Sequence, residues 1–155
     1  METVLLLLIF TTSMVTLDLI SGAKQRYDYT ITLKTGRGLG AGTDSVFNLT
    51  FIGFEKNVTY FLDGEGSNLE AGSLDVFNFT DDILVYPINK MILQRIQKRG
   101  YDTKWYLNWL IVDVLDAGYI FSVNKWIRDD NAQGFTSFLN NCKDGFVRYQ
   151  ECRRL

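Results

Sequence analysis

The sequence K-T-G-R-G-L-G-A-G-T-D-S-V, residues 34–46, lies between two segments in which apolar and polar residues alternate as they do in strands. Its four alternating glycines, at positions 36, 38, 40 and 42, allow the backbone to turn sharply and to take positive φ. Residues 43–45 then place three side chains that carry oxygen at the start of the following strand. On local physics alone, this stretch is typical of a glycine-rich connection between two strands.

Two phosphate-binding motifs can be weighed against that interpretation. The pattern Gly36-x-Gly38-x-x-Ala41 fits the dinucleotide fingerprint, but that fingerprint must open a helix. The residues that follow, 46–51, are β-branched or aromatic at alternate positions and therefore predict a strand. A Walker loop would require Gly-Lys-Ser/Thr, which is not present here.

The whole pattern T-G-x(3)-G-A-G-T-D-S-V, residues 35–46, after a strand that contains tyrosine, resembles the signature of the PLAT (polycystin/lipoxygenase/alpha-toxin, lipoxygenase-homology) domain family. Further segments match the family pattern in the same order from about Tyr29 to Ile127. They are Gly53, residues 71–77, Gly100 with Trp105, residues 105–114 and residues 121–127. The resemblance implies a β-sandwich that acts at membranes or on protein partners.

Short alternating segments separated by turns predict the same architecture independently. The predicted strands cover residues 27–34, 46–52, 58–62, 74–79, 91–96, 105–115 and 119–123. Residues 83–88 contain Pro87, which has no backbone N–H to donate, so this segment is predicted as an edge strand or a bend. We therefore expect an all-β fold, an antiparallel β-sandwich of about eight strands.

The chain of 155 residues is predicted to have three parts. Residues 1–23 resemble a signal peptide, because Val4–Phe10 is apolar and Ser21-x-Ala23 resembles a cleavage site, although Glu2 is atypical. A buried N-terminal strand and an amphipathic anchor are the alternatives. Residues 24–127 form the PLAT-like sandwich, and residues 128–155 form a C-terminal extension. The protein is accordingly expected to be secreted and extracellular.

Composition limits the possible functions. Hydrophobic residues make up 46% and aromatic residues 14% of the chain, which indicates a packed core. The formal charge is −2, and removing residues 1–23 leaves 16 basic and 16 acidic residues, so nothing indicates a nucleic-acid partner. The chain has no histidine, and neither a G-x-S-x-G motif nor a cofactor motif is present, so it is predicted not to be an enzyme.

Two modifications follow from the predicted secretion. Cys142 and Cys152 are the two cysteines, and in an oxidising compartment they would form a disulfide, which on the chain-entropy model would stabilise the fold by roughly 2–3 kcal/mol at most. Two free thiols are the alternative. Asn48, Asn57 and Asn78 each begin an N-x-T sequon and are candidate N-glycosylation sites.

The family resemblance implies one candidate cofactor, calcium. The positions that carry over are Asp44 and, through its carbonyl, Gly42. Calcium-binding members have an aspartate where this chain has Gln97, and a calcium ion needs several oxygen ligands. Asp63, Glu65 and Asp102 are loop acids that could contribute, or they could be solvated turn residues.

The same resemblance places the glycine loop and the 97–104 loop at one end of the sandwich. Basic, apolar and aromatic side chains would then gather there and form a docking edge for anionic headgroups, unless these are ordinary solvated loops. The candidate docking residues are Arg37, Leu39, Lys98, Arg99, Tyr101 and Lys104.

Together these predictions describe a monomeric, secreted, non-catalytic PLAT-domain protein that binds a membrane lipid surface or an extracellular protein. A first alternative is a secreted effector, of venom or salivary type, that binds a receptor or lipase without touching lipid. A second alternative is a small glycan hydrolase that uses Asp and Glu, whose paired carboxylates a sequence cannot reveal.

Overall fold

In a computed structural model the chain forms two antiparallel β-sheets that pack face to face. The structure describes residues 24–140, except residues 65, 67, 98, 100–103, 129, 130 and 137, and residues 138–140 in their backbone. The strands are β1 (Tyr27–Thr35), β2 (Val46–Ile52), β3 (Asn57–Asp63), β4 (Leu74–Asp81), β5 (Lys90–Gln97), β6 (Trp105–Val114), β7 (Ala117–Ile127), β8 (Gln133–Thr136) and β9 (Phe138–Asn140).

The nine strands of the described chain divide into a five-stranded sheet, β4-β1-β6-β7-β9, and a four-stranded sheet, β3-β2-β5-β8. The hairpin β2–β3 lies within the four-stranded sheet, and the hairpin β6–β7 lies within the five-stranded sheet. The other connections cross from one sheet to the other. The predicted all-β sandwich is confirmed. The part of the chain that the structure describes contains no helix that could cross a membrane.

The core forms because residues at alternate positions of each strand point between the sheets. In β1 these are Tyr29, Ile31 and Leu33, each fully buried. The core is rich in aromatic rings: the Tyr60 and Phe79 rings stack with centroids 4.4 Å apart, and those of Phe47 and Trp105 lie 4.9 Å apart. The alternation read from the sequence therefore assigns the inward faces of these strands correctly.

Residues 83–88 form no strand; they belong to the irregular connection between β4 and β5. The hydroxyl of Tyr29 anchors this connection, since it accepts a hydrogen bond from the Val85 N–H at 2.8 Å and donates one to the Ile83 carbonyl at 2.9 Å. A side chain therefore satisfies backbone groups that a neighbouring strand would otherwise pair. The bend predicted from Pro87 agrees with this arrangement.

The sandwich continues beyond Ile127, where the sequence-based boundary placed its end. Strand β8 pairs with β5, with Phe135 opposite Met91, and β9 pairs with β7, with Asn140 opposite Gly118. Residues assigned to a C-terminal extension thus add one strand to each sheet. Strands of four and three residues are too short to show a clear alternation, which explains the early boundary.

The connections define two ends of the sandwich. The glycine-loop end carries residues 36–45, the described residues of the connection between β3 and β4, and residues 99 and 104 of the connection between β5 and β6. The tail end carries residues 53–56, 82–89 and 115–116, and both Lys24 and Asn140 lie there because of the directions of β1 and β9.

Candidate functional site

The glycine loop is held in place by backbone hydrogen bonds to two neighbouring segments. The Gly36 N–H donates to the Tyr106 carbonyl at 2.9 Å, and the Tyr106 N–H donates to the Ala41 carbonyl at 2.9 Å. On its other side, the Thr43 N–H donates to the Leu69 carbonyl at 3.1 Å. The loop is therefore fixed at several points, although none of its residues belongs to a strand.

Glycine is required at position 42 by close packing. A Cβ atom added there would lie 2.7 Å from the backbone nitrogen of Ala71. Gly38, by contrast, faces open space, and a Cβ atom added there would meet nothing within 4 Å. The alternating glycines therefore have different roles: some allow close packing, and others leave the tip of the loop free.

The predicted calcium residues lie next to each other but do not form a cation site with the rest of the described chain. Asp44 is exposed and Gly42 is buried. Asp63, the nearby acid, forms an ion pair with Arg99, with 2.8 Å between the aspartate Oδ1 and the arginine Nη1. No three acidic, histidine or cysteine side chains cluster as metal ligands within the described residues, and Glu65 and Asp102 lie outside them. The described residues therefore do not supply the several carboxylate oxygens that a calcium site needs, and the Asp63 carboxylate is paired with Arg99.

Some of the predicted docking side chains are exposed, and others contact neighbouring side chains. Leu39 is fully exposed at 102%, and Arg37 beside it is exposed. Arg99 is held by Asp63, and the ammonium of Lys104 lies 4.0 Å from the centre of the Trp126 ring. Lys98 and Tyr101 lie outside the described residues.

The sequence did not reveal the partners of these cations. Asp63 lies 36 residues before Arg99 in the chain, and Trp126 lies on β7, so neither contact follows from local spacing. The sequence also did not reveal an apolar group at the tail end. Tyr27, Phe54, Leu84 and Tyr86 contribute to the lining of a groove of about 360 Å³ there. Phe54 is exposed and directly follows Gly53 in a turn. An aromatic residue at this position of the sequence is the signal that could have indicated the groove.

The candidate modification sites differ in their surroundings. Asn57 is exposed at the start of β3, and Asn78 is exposed with its side-chain oxygen accepting a hydrogen bond from the Thr30 hydroxyl at 3.1 Å. Asn48 is half-buried, and its side-chain oxygen is buried without a partner in the described part of the chain. Cys142, Cys152 and residues 1–23 lie outside the described residues.

Comparison with known families supplies the decisive observation, because the model of the PLAT/LH2 domain matches residues 29–139. The chain belongs to the PLAT/LH2 domain family. The resemblance read from the glycine loop is thereby confirmed. The family match also extends past Ile127 and includes β8.

Solved structures with the same fold include lipoxygenases and a clostridial alpha toxin. A coral 8R-lipoxygenase, described as activated by calcium through a C2-like domain, matches 82% of this chain with 22% identity and a TM-score of 0.61. A calcium-dependent 11R-lipoxygenase matches 83% with 24% identity and a TM-score of 0.59. Alpha toxin from Clostridium absonum matches 70% with 17% identity and a TM-score of 0.58.

The structural match covers a small part of these larger proteins. This chain spans 20% of each of the two lipoxygenases and 30% of the toxin. At identities below 25% the likeness establishes the fold alone.

Proposed function

We propose that this PLAT protein is a secreted, non-catalytic module that binds anionic lipid surfaces through its glycine-loop end without a calcium bridge. The observation that carries the proposal is the tip of the glycine loop, where a fully exposed Leu39 lies two residues from an exposed Arg37. An apolar side chain that no described residue covers, on a loop fixed at several points, is suited to enter the headgroup region of a bilayer.

The basic side chains at the glycine-loop end favour binding to an anionic lipid surface. A basic side chain near such a surface contributes about 1 kcal/mol to binding. Arg37 is exposed, and Lys104 remains partly exposed over Trp126, whose ring can itself lie at a membrane interface. Lys98 and Tyr101 join this surface as predictions from the sequence.

Independence from calcium is supported by the ion pair between Asp63 and Arg99. In a calcium-bridged mode the protein carboxylates and the lipid phosphate would share the metal ion. Here a protein cation already neutralises the Asp63 carboxylate, so the loop can meet a phosphate through its own positive charge. We therefore expect chelation of calcium to leave binding unchanged.

The test is co-sedimentation of residues 24–155 with neutral and with anionic vesicles, each with calcium and with a chelator. Binding to anionic vesicles in both solutions is expected. The variant Arg37→Ser/Leu39→Ser should lose most of this binding. Its matched control is Arg26→Ser/Leu115→Ser, which removes the same two residue types from exposed positions at the tail end. Binding that requires calcium, or an equal loss in both variants, would contradict the proposal.

A second candidate function is binding of an extracellular protein, and the groove at the tail end favours it. Phe54 is 80% exposed and Tyr86 is 53% exposed there, and aromatic side chains of this kind often anchor protein interfaces. Failure to bind any vesicle would favour this function. Labelling of secreted binding partners by the wild-type protein but not by a Phe54→Ser/Tyr86→Ser variant would then support it.

A further inference from the structure

Phe61 on β3 presents its ring on the outer face of the four-stranded sheet. Its side chain is 63% exposed, whereas its neighbours Tyr60 and Leu62 are buried in the core. A single exposed apolar side chain is common on protein surfaces, so its exposure alone indicates no function. The informative fact is the identity of its cross-strand partner, because Phe61 lies directly opposite Asn48 of β2.

Asn48 begins an N-x-T sequon whose asparagine and threonine lie on this same outer face, because side chains alternate along a strand. Across the sheet, Asn48 lies between Phe61 on β3 and Gln94 on β5, and both of these are exposed. The Cβ atoms of directly opposite residues are about 4.5–5.5 Å apart in an antiparallel pair. A sugar joined to the amide nitrogen of Asn48 would therefore begin beside the ring of Phe61.

We propose that Asn48 carries an N-linked glycan whose first N-acetylglucosamine packs on the ring of Phe61. This inference rests on the secretion that forms part of the proposed function, because such glycans are added in the secretory pathway. One face of a pyranose ring presents C–H bonds with a small positive charge, and the face of an aromatic ring is negative. The two faces therefore attract each other, and their contact removes apolar surface of Phe61 from water.

The half-buried position of Asn48 is compatible with this modification. The sugar is joined to the side-chain nitrogen, whereas the atom that is buried without a partner in the described chain is the side-chain oxygen. The two other sequons have different neighbours: Asn57 lies directly opposite Ile52, and Asn78 lies directly opposite Thr30. Of the three asparagines, the structure therefore selects Asn48 as the one whose glycan has an aromatic cross-strand partner.

The contact with Phe61 also sets the direction of the glycan. Strand β3 is an edge strand of the four-stranded sheet, so a sugar that leans from β2 onto β3 leads across a free sheet edge. Unpaired backbone groups of an exposed edge can pair with another chain, and a bulky cover prevents this. The glycan is thus directed across the strands, away from the loops that the proposed membrane contact uses.

Occupancy of the sequon is the first measurement. The full-length chain is secreted from animal cells, and peptide N-glycosidase in heavy-oxygen water marks each formerly glycosylated asparagine for mass spectrometry. We expect the mark on Asn48 in most chains, and its absence there would overturn the proposal. In that case, sugar on Asn57 or Asn78 would show that secretion still holds, whereas retention in the cytosol would overturn the proposed secretion as well.

A second measurement tests the contact itself and uses two forms of one polypeptide. The variant Thr50→Ser keeps a hydroxyl opposite Thr59, with which the Thr50 hydroxyl forms a hydrogen bond of 2.8 Å. Because N-x-S is a poorer acceptor than N-x-T, its secreted chains include forms with and without the glycan. The substitutions Asn57→Gln and Asn78→Gln remove the other sequons, so that a lectin column separates the two forms. An endoglycosidase then trims the glycan to its first sugar.

Hydroxyl-radical oxidation, read by mass spectrometry, compares the exposure of Phe61 in the two forms. Oxidation of Phe61 should be several-fold lower in the form that retains the first sugar. Phe54, which is 80% exposed at the tail end, is the internal control and should be oxidised equally in both. Equal oxidation of Phe61 would overturn the proposal: equally high values would mean that the sugar does not pack on the ring, and equally low values that another molecule covers it.

Discussion

Tyr29 and Tyr60 lie side by side in the core, with ring centroids 5.4 Å apart, but their hydroxyl groups have different roles. The Tyr29 hydroxyl holds two backbone groups of the 82–89 connection. The Tyr60 hydroxyl is buried and has no hydrogen-bond partner among the described residues. Two residues of the same type therefore differ in what their polar atom contributes to stability.

This difference predicts opposite outcomes for the same substitution. Tyr29→Phe would leave the buried Val85 N–H without an acceptor and should lower the free energy of unfolding by about 1–3 kcal/mol. Tyr60→Phe removes an unsatisfied hydroxyl and should be neutral or stabilising. Urea denaturation of the two variants measures the effect, and equal losses would contradict this assignment.

The same tyrosines predict how stability depends on alkaline pH. Burial raises the pKa of Tyr60, and likewise that of Tyr29, above the ordinary value of 10.0. The unfolded chain then releases these protons at a lower pH than the folded chain does. The stability associated with them is fully present below about pH 10 and decreases as the pH rises above that value.

Urea denaturation between pH 8 and pH 11.5 should show this decrease for the wild-type protein. The decrease should be shallower for Tyr60→Phe, because this variant lacks one of the buried tyrosines whose pKa is raised. Parallel curves for the two proteins would show that Tyr60 does not contribute to alkaline destabilisation.

At the scale of elements, the sequence pattern was sufficient to predict seven strands, and alternation gave the buried faces of β1 and β2. It failed for β8 and β9, which are too short for a period of two to be recognised. It also could not predict that both faces of β6 are buried, since a long apolar run is equally typical of a strand that alternates imperfectly. The length of a strand and its neighbours in space decide these cases, and the local sequence contains neither.

The glycine loop is the element whose sequence was most informative, and it provides a matched pair of substitutions. Gly42→Ala would force its methyl group against the Ala71 backbone nitrogen and should destabilise the protein by about 1–3 kcal/mol. Gly38→Ala meets open space and should be neutral or stabilising by up to about 1 kcal/mol. Thermal unfolding of both variants, followed by circular dichroism, checks this prediction. A larger loss at position 38 would contradict it.

At the scale of the whole molecule, the family and its fold followed from the sequence, but the arrangement of the candidate site did so only in part. Arg37 and Leu39 are exposed as the docking hypothesis requires. The pairing of Arg99 with Asp63 joins the end of β3 to the connection after β5, and these two strands of the four-stranded sheet are separated by β2. Contacts between segments distant in sequence are set by the sheet register, which one sequence does not specify.

Strands β8 and β9 each form one edge of a sheet, and this predicts the result of shortening the chain. A protein of residues 24–127 would lose β8 and β9 and expose the edges of β5 and β7. It would also lose Phe135, which packs against the core. Its midpoint of thermal unfolding should fall well below that of residues 24–140, and it should aggregate more readily. Equal midpoints for the two proteins would show that the sandwich is complete at Ile127.

The row of paired residues Thr30, Asp113, Gly118 and Asn140 crosses four adjacent strands near the tail end. Three strand spacings separate its first and last members, a gap of roughly 14 Å. A linker of about five residues bridges such a gap. In a circularly permuted chain, such a linker would join Asn140 to the start of β1, and the chain would be opened between Gly38 and Leu39. This chain should therefore rebuild the same two sheets. The sandwich depends on which strands lie side by side, and the order in which they are synthesised is secondary.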